Sequence, residues 1–271
     1  MTNAVPHPLI DIGANLAHDS FDDDRAEVLE SARRAGVVQL VVTGSSEQAS
    51  RDAAALATRH KGKLFATAGV HPHHASDYTD DVHAVLRQLA DEPAVVAIGE
   101  CGLDYFRDFS PRDAQRAAFR AQLDLAVETE LPVFLHQRDA HDDFIEILAP
   151  YRDRIPRGVA HCFTGERGML RDYLELGLYI GITGWICDER RGRHLHEFAH
   201  EIPLERLMIE TDAPYLMPRS LRPKPKSRRN EPCYLPEVLR VLAEATGHSE
   251  ATLADATTRN ARTFFDLPEI A

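Results

Sequence analysis

The sequence predicts an α/β protein whose eight parallel strands and intervening helices close into a (β/α)8 TIM-type barrel. Eight apolar runs recur at intervals of about one strand plus one helix. They are nearly continuous, as is typical of parallel strands buried on both faces. The first run is not followed by a glycine-rich nucleotide loop, which favours a closed barrel over an open doubly wound sheet. The length of 271 residues suits one such barrel, so we expect a single domain over residues 1–271.

The eight predicted strands can be placed in chain order. Each is rich in valine, isoleucine, leucine or alanine, and each is separated from the next by enough residues for a helix. They are PLIDIG at 8–13, VVQLVVTG at 37–44, KLFATAGV at 63–70, AVVAIGE at 94–100, PVFLH at 132–136, GVAHCF at 158–163, LYIGITG at 178–184 and RLMIET at 206–211.

Amphipathic stretches with helical spacing lie between these strands. The stretch 22–35 turns Val28, Leu29 and Ala32 inward and has acidic residues around Asp22 at its start. A second helix is expected over 112–129, and two more, at about 234–246 and 250–265, should pack outside the barrel after strand eight. The inward stripe of the 112–129 helix comprises Ala118, Phe119, Gln122, Leu123 and Ala126.

Composition and charge exclude several classes of protein. Hydrophobic residues make up 44% of the chain, which is ample for a large core and excludes a disordered protein. The net charge of −12 argues against a surface that coats nucleic acid, although a local basic site is compatible with it. Four well-separated cysteines without a CxxC pair indicate reduced thiols and a cytoplasmic protein. No signal peptide, membrane helix or long exposed apolar patch is visible, so we expect no membrane partner and a monomer.

Two histidines and two carboxylates lie at or just after the ends of four predicted strands. They are Glu100, His136, His161 and Asp212, at strands four, five, six and eight. In a parallel barrel the catalytic groups come from these strand ends, so all four should face one bowl. A single histidine at a strand end is more simply explained as a hydrogen-bonded structural residue. Two imidazoles and two carboxylates together suit a divalent cation. The sequence therefore predicts a metal-dependent hydrolase with all four as ligands, and with Glu100 and Asp212 in catalytic roles.

His71 and His73 follow the third strand in AGVHPHH. Alternation places them on the same side of the chain, where both could reach a substrate phosphate or a second metal. The alternative is a turn around Pro72 with solvated imidazoles.

Several longer strings make the chain similar to the TatD family of metal-dependent deoxyribonucleases, which are amidohydrolase-like barrels. The resemblance runs from about Asp11 to Phe265 and is carried by TAGVHPH, VVAIGECGLD, PVFLHQRDAH, AHCFTG, YIGITGWICDERRG, IETDAPYLMP and RRNEP. It implies that Glu100, His136 and His161 bind the metal and that Asp212 is the catalytic carboxylate beside it. It also implies Mg²⁺-dependent 3′–5′ exonucleolytic hydrolysis of DNA, preferably single-stranded, and of RNA, with a role in DNA repair.

One stretch departs from the pattern of many relatives. Their first strand reads D-x-H-x-H, whereas Gly13 and Asn15 occupy the two histidine positions here. The loss of two imidazoles makes the site richer in carboxylate, which favours Mg²⁺, or Mn²⁺, over Zn²⁺. We therefore expect one firmly bound metal and a second that arrives with the substrate.

The segment Arg219–Arg229 contains six Lys or Arg residues and no acid. A solvated loop is the alternative explanation. Because the segment follows the strand that precedes Asp212, we expect it to contact phosphate, and Arg228 and Arg229 lie in the matched RRNEP string.

Two other functions are compatible with the same residues. One is a metal-dependent ester or amide hydrolase, such as an aminoacyl-tRNA deacylase or a small-molecule amidohydrolase. The other is a non-catalytic scaffold, although a scaffold has no physical need for four polar groups at one rim.

Overall fold

A computed structural model describes residues 7–269, in which eight strands form one sheet whose neighbours follow chain order. All four strand pairs of known register are parallel. The first strand also contacts the eighth, as in a closed barrel, so the predicted (β/α)8 fold class is confirmed. The strands are β1 Leu9–Ala14, β2 Val37–Val42, β3 Leu64–Ala68, β4 Val95–Asp104, β5 Val133–Arg138, β6 Gly158–Ala160, β7 Tyr179–Ile182 and β8 Leu207–Ile209.

Helices alternate with the strands as the sequence predicts. Those over 112–129 and 250–265 have the predicted bounds, and the inward stripe of the former is buried. Three helices begin after a Ser or Thr whose hydroxyl accepts a backbone N–H of the first turn: Ser46, Thr79 and Ser249. The α-helices are α1 Arg25–Arg34, α2 Glu47–Arg59, α3 Asp80–Ala90, α4 Arg112–Thr129, α5 His141–Leu148, α6 Arg167–Glu175, α7 Leu235–Thr246 and α8 Glu250–Phe265.

Several predicted boundaries were wrong. Helix α1 begins at Arg25, because residues 22–24 form a turn, and Leu29 of its predicted inward stripe is only half-buried. Strands β6 and β8 are three residues long, shorter than predicted. Strand β4 continues four residues past its predicted end at Glu100 and is buried along its whole length. This extension places a further carboxylate, Asp104, at the end of β4.

The described chain forms two compact units. The Glu100 unit comprises residues 42–161 and 168–179, and the Asp212 unit comprises residues 7–41, 162–167 and 180–269. A single domain over 1–271 stays a prediction. Residues 1–6, where a signal peptide would begin, and residues 270–271 lie outside the described part. Among the helices of residues 7–269, none has the length and apolar character needed to cross a bilayer.

Each unit has its own apolar core. In the Glu100 unit, Phe119 and Phe144 are fully buried and stack with ring centroids 5.3 Å apart. In the Asp212 unit, the buried residues Leu242, Leu253 and Phe264 belong to α7 and α8, which pack against each other. Helix α8 also contacts β1 and β8. These cores fix the strand ends from which the polar residues project.

Candidate metal centre

Three imidazoles converge on one carboxylate oxygen in the Glu100 unit. Oε1 of Glu100 lies 2.8 Å from Nε2 of His161, 3.0 Å from Nδ1 of His136 and 3.4 Å from Nε2 of His71. Glu100 is 6% exposed. One donor atom each from His71, Glu100 and His136 lies within 4.8 Å of the other two. This set of two nitrogens and one oxygen, with His161 beside Glu100, fits a divalent cation.

The backbone of β4 bends where it presents Glu100. The register between β4 and β5 shifts between Gly99 and Cys101, and the Glu100 N–H donates instead to the carbonyl of Gly44 at 2.7 Å. Gly102, the register partner of His136, has a φ of +144°, and a Cβ there would collide with the His136 carbonyl oxygen. The glycines of AIGECGLD therefore allow β4 to bulge and still lie close to the strand that carries His136.

Asp104 forms a second polar group beside the first. Its Oδ2 lies 2.8 Å from Nε2 of His73 and 3.6 Å from Nε2 of His136. Its Oδ1 accepts the backbone N–H groups of Phe106 and Arg107 at 3.0 and 2.9 Å. Nε2 of His136 is buried and has no hydrogen-bond partner among the described residues. A buried ring nitrogen that makes no hydrogen bond suits a metal ligand.

The pKa shifts of Glu100 and His71 favour cation binding, whereas that of His136 opposes it. Burial favours the neutral acid, but the imidazoles of His161, His71 and His136 hold the pKa of Glu100 well below its usual range. Burial lowers the pKa of His71 well below the usual imidazole value, which leaves it neutral, as a ligand must be. Burial opposes a charge on His136, yet Asp104 and Glu100 outweigh it and raise its pKa. Binding of a cation would therefore compete with protonation of His136.

Asp212 lies three residues after the short strand β8 in the Asp212 unit. Its backbone has a φ of +55°, and its N–H donates to the Gly13 carbonyl at 2.8 Å. Its Oδ1 accepts a hydrogen bond from Nδ2 of Asn15 at 3.1 Å. Asn15 thus holds the carboxylate of Asp212.

A buried network supports that carboxylate from below. Asp11 accepts hydrogen bonds from the backbone N–H and the hydroxyl of Thr211, at 2.9 and 2.5 Å. Asn230 donates its side-chain amide to the Thr211 carbonyl at 2.9 Å. The asparagine of the RRNEP string therefore fixes the residue before Asp212.

The basic side chains of the segment Arg219–Arg229 differ in whether they pair with an acid. Arg229 donates to both oxygens of Asp24, at 2.9 and 2.6 Å, and to Glu231 at 3.0 Å. Arg228 is exposed, like Lys224 and Lys226, and these three make no ion pair with any described residue. Arg229 is therefore paired with carboxylates of its own unit. Phosphate contact by Arg228 or Arg229 stays a prediction.

The structure brings together Glu100, His136 and His161, and adds His71, for which the sequence left open a substrate phosphate or a second metal. His73 joins through Asp104, a residue that sequence reasoning missed. The available signal was the spacing, because Asp104 follows Glu100 by an even number of residues in one strand. Asp212 is described only within its own unit, so its role as a ligand stays a prediction.

Known proteins provide an independent comparison. Residues 10–266 match the family model of the TatD-related DNases. The chain is 51% identical over 260 residues to a 3′–5′ ssDNA/RNA exonuclease TatD from Erwinia billingiae, covering 96% of this chain and all of that protein. A protein of the same name from a Rahnella species is 53% identical over 259 residues, which cover 96% and 98% of the two chains. The crystal structure of YJJV, a TatD homologue from Escherichia coli K12, superposes with a TM-score of 0.87 at 29% identity and covers 96% and 98%.

Proposed function

The chain belongs to the TatD-related DNase family, and we propose on that premise that it is a metal-dependent 3′–5′ exonuclease acting on single-stranded DNA and RNA. One observation carries the proposal: three imidazole nitrogens lie 2.8 to 3.4 Å from the same carboxylate oxygen of Glu100. The names of the two bacterial relatives supply the direction and the substrate.

The metal would be held by Glu100, His71, His136 and His161. When bound, a divalent cation polarises the scissile phosphodiester and lowers the pKa of the attacking water. Asp104 remains ionised because His136, His73 and the Arg107 amide hold its pKa well below its usual range in spite of burial. Its negative charge would offset the positive charge of the cation and orient the His136 and His73 rings.

Asp212 would act as the general base that takes the proton of the attacking water. The Asn15 amide donates to Oδ1 of Asp212. This hydrogen bond fixes the orientation of the carboxylate that would accept the proton. Support for placing Asp212 with the metal comes from the rule that active-site groups of (β/α)8 barrels lie at the C-terminal ends of strands.

Mg²⁺ is the cation we propose, with Mn²⁺ as a substitute that also supports activity. Gly13 and Asn15 stand where many relatives carry histidines, so the Asp212 unit offers carboxylate and amide oxygens there. Calorimetric titration with Mg²⁺, Mn²⁺ and Zn²⁺, with and without a mononucleotide, measures affinity and stoichiometry. One site on the free protein and a second only with nucleotide is the expected result. Two tight sites without nucleotide would overturn it.

The experiment for the activity uses single-stranded DNA labelled at either end. With Mg²⁺, 3′-labelled DNA should release its label as a mononucleotide at once, while 5′-labelled DNA should shorten stepwise. EDTA and the variant Glu100→Ala should each abolish both reactions, whereas Glu128→Gln, an exposed glutamate of α4, should not. Release of the 5′ label first, or activity in EDTA, would refute the proposal.

The expected activity at 3′ ends also supports a proposed biological role. An enzyme that removes nucleotides from 3′ ends suits the trimming of damaged DNA, which is the repair role we propose. An aminoacyl-tRNA incubated in parallel should keep its ester bond. A monomeric, cytoplasmic protein is expected, and light scattering measures the oligomeric state.

A further inference from the structure

A short loop beside the metal cluster carries an unusual surface. The large apolar side chains most exposed in the described part of the chain are Phe106, Phe109 and Tyr215, at 53%, 67% and 52%. Two of these three lie within four residues of each other, between β4 and α4. A pair of exposed phenylalanines is costly to keep in water, so it points to a binding surface.

Two arginines that make no ion pair within the described chain lie near the Phe106 ring. The guanidinium of Arg138 lies 4.0 Å from the centroid of the Phe106 ring, and that of Arg107 lies 5.5 Å away. Neither arginine makes an ion pair with another residue of the described chain, whereas Arg112 and Arg116 of the same region pair with Asp108, Asp113 and Asp143. In a protein of net charge −12, Arg107 and Arg138 therefore form a local cationic site suited to phosphate.

The loop is tied directly to the metal cluster. The backbone N–H groups of Phe106 and Arg107 donate to Oδ1 of Asp104, whose other oxygen meets His73. The ring of Phe109 lies 4.7 Å from the His73 ring. The buried hydroxyl of Ser110 donates to the His73 carbonyl at 3.0 Å. The exposed rings are thus held in place by the groups that hold the metal ligands.

We propose that Phe106, Arg107, Phe109 and Arg138 form an aromatic ledge that binds one nucleotide of a single strand next to the scissile bond. The base stacks on the open face of Phe109, and Arg107 and Arg138 bind a flanking phosphate. Unpaired bases can reach such a ring, whereas bases within a duplex cannot, so the ledge selects single strands. This inference rests on the proposed nuclease function and adds the subsite that discriminates its substrate.

The test uses single-stranded oligonucleotides in which one abasic residue is moved stepwise inward from the 3′ end. In the wild type, one abasic position should weaken binding about 5- to 150-fold, the equivalent of ~1–3 kcal/mol for one stacked base. Phe109→Ala should weaken binding of the intact strand to the same degree and abolish the dependence on that position. Phe109→Trp should restore it. Equal losses for Phe109→Ala on intact and abasic strands would overturn the proposal.

Arginine variants provide a matched pair. Arg138 and Arg112 both stack on an aromatic ring of this region, at 4.0 and 4.1 Å, but Arg112 is neutralised by Asp108. Arg138→Gln should weaken binding of single strands and Arg112→Gln should not. Equal effects of the two variants would contradict a phosphate site at Arg138.

Fluorescence anisotropy in EDTA measures this binding without any hydrolysis. Absence of exonuclease activity would therefore refute the proposed function and leave the ledge open to the same measurement. If wild type bound duplex and single strand equally, the selectivity assigned to the ledge would be wrong even in an active nuclease.

Discussion

Glu100 is the residue on which the cluster depends, because its carboxylate is the single negative charge shared by three imidazoles. Glu100→Gln keeps the shape of the side chain but removes that charge. We expect metal affinity and nuclease turnover to fall at least about 100-fold, while the fold persists. Calorimetry, turnover and circular dichroism measure the three quantities. The exposed Glu128→Gln is the control, and undiminished metal affinity in Glu100→Gln would contradict the assignment.

Asp212 should behave differently from Glu100 if it is the general base. Asp212→Asn retains an oxygen for Asn15 to bond but cannot take a proton from water. Turnover should fall about 10²- to 10⁴-fold, with metal affinity at the Glu100 cluster nearly unchanged. Single-turnover kinetics with saturating Mg²⁺ separate these effects. Near-normal turnover would exclude the proposed role.

At this scale the sequence predicted that Glu100, His136 and His161 lie together, but it did not predict their other contacts. Glu100, His136 and His161 were recognised because each lies near the end of an apolar run. Asp104 was missed because β4 was expected to end at Glu100, and only the glycine-permitted bulge carries the strand onward. The sequence left His71 between a substrate phosphate and a second metal, because its distance from Glu100 depends on how the 3₁₀ turn after β3 folds. No local pattern predicts that fold.

Strand β4 is the element that determines the geometry of the centre. Gly102 combines a φ of +144° with close contact to the β5 backbone, so an alanine there would be strained and would push the two strands apart. Gly102→Ala should lower the free energy of unfolding by about 3 kcal/mol or more. It should also reduce metal affinity, since Glu100 and His136 lie on these two strands.

Gly62→Ala provides the matched comparison for that prediction. Gly62 also has a positive φ, of +79°, but a Cβ there would meet nothing within 4 Å. Its cost should be only that of backbone strain, about 1 kcal/mol, without loss of metal binding. Urea unfolding measures both variants, and equal losses would show that contact with β5 is not what requires glycine at 102.

The partners of loop side chains could not be predicted from the sequence. Six basic residues in Arg219–Arg229 were visible, but their partners were not. Arg229 binds Asp24, which precedes it by 205 residues, and pairings of that separation depend on the completed fold. The strand and helix order was predictable because it depends on apolar periodicity, which is local.

The stability of the whole molecule should depend on pH through Asp11, a fully buried acid of the Asp212 unit. Burial raises the pKa of Asp11 to about 7, in spite of hydrogen bonds from Thr211 and Gly13. The folded state therefore retains this proton between about pH 4 and pH 7, where the unfolded chain has lost it. The contribution of Asp11 to the free energy of unfolding should fall across that range, by at most about 4 kcal/mol, and level off above it.

Asp11→Asn tests this dependence, because an amide does not titrate. The difference in unfolding free energy between wild type and variant should change by a few kcal/mol from pH 4.5 to pH 7.5, in the direction of relative stabilisation of the variant as pH rises. The exposed Asp255→Asn should show a constant difference. A constant difference for Asp11→Asn as well would mean that Asp11 is ionised in the folded protein throughout.

Binding of nucleic acid to a protein of net charge −12 must rely on local cations, and this makes salt dependence informative. Lys224, Lys226 and Arg228 are exposed and have no acidic partner among residues 7–269, so each can displace a counterion from a phosphate. Replacing all three with glutamine should flatten the slope of log K against log salt by about 2 for a single strand. Arg59, Lys61 and Lys63 are equally exposed, and the same triple replacement there changes the net charge equally. If binding depends on the position of the charges, only the first variant will alter the slope; if both alter it alike, the overall charge governs binding and the basic segment is not a phosphate site.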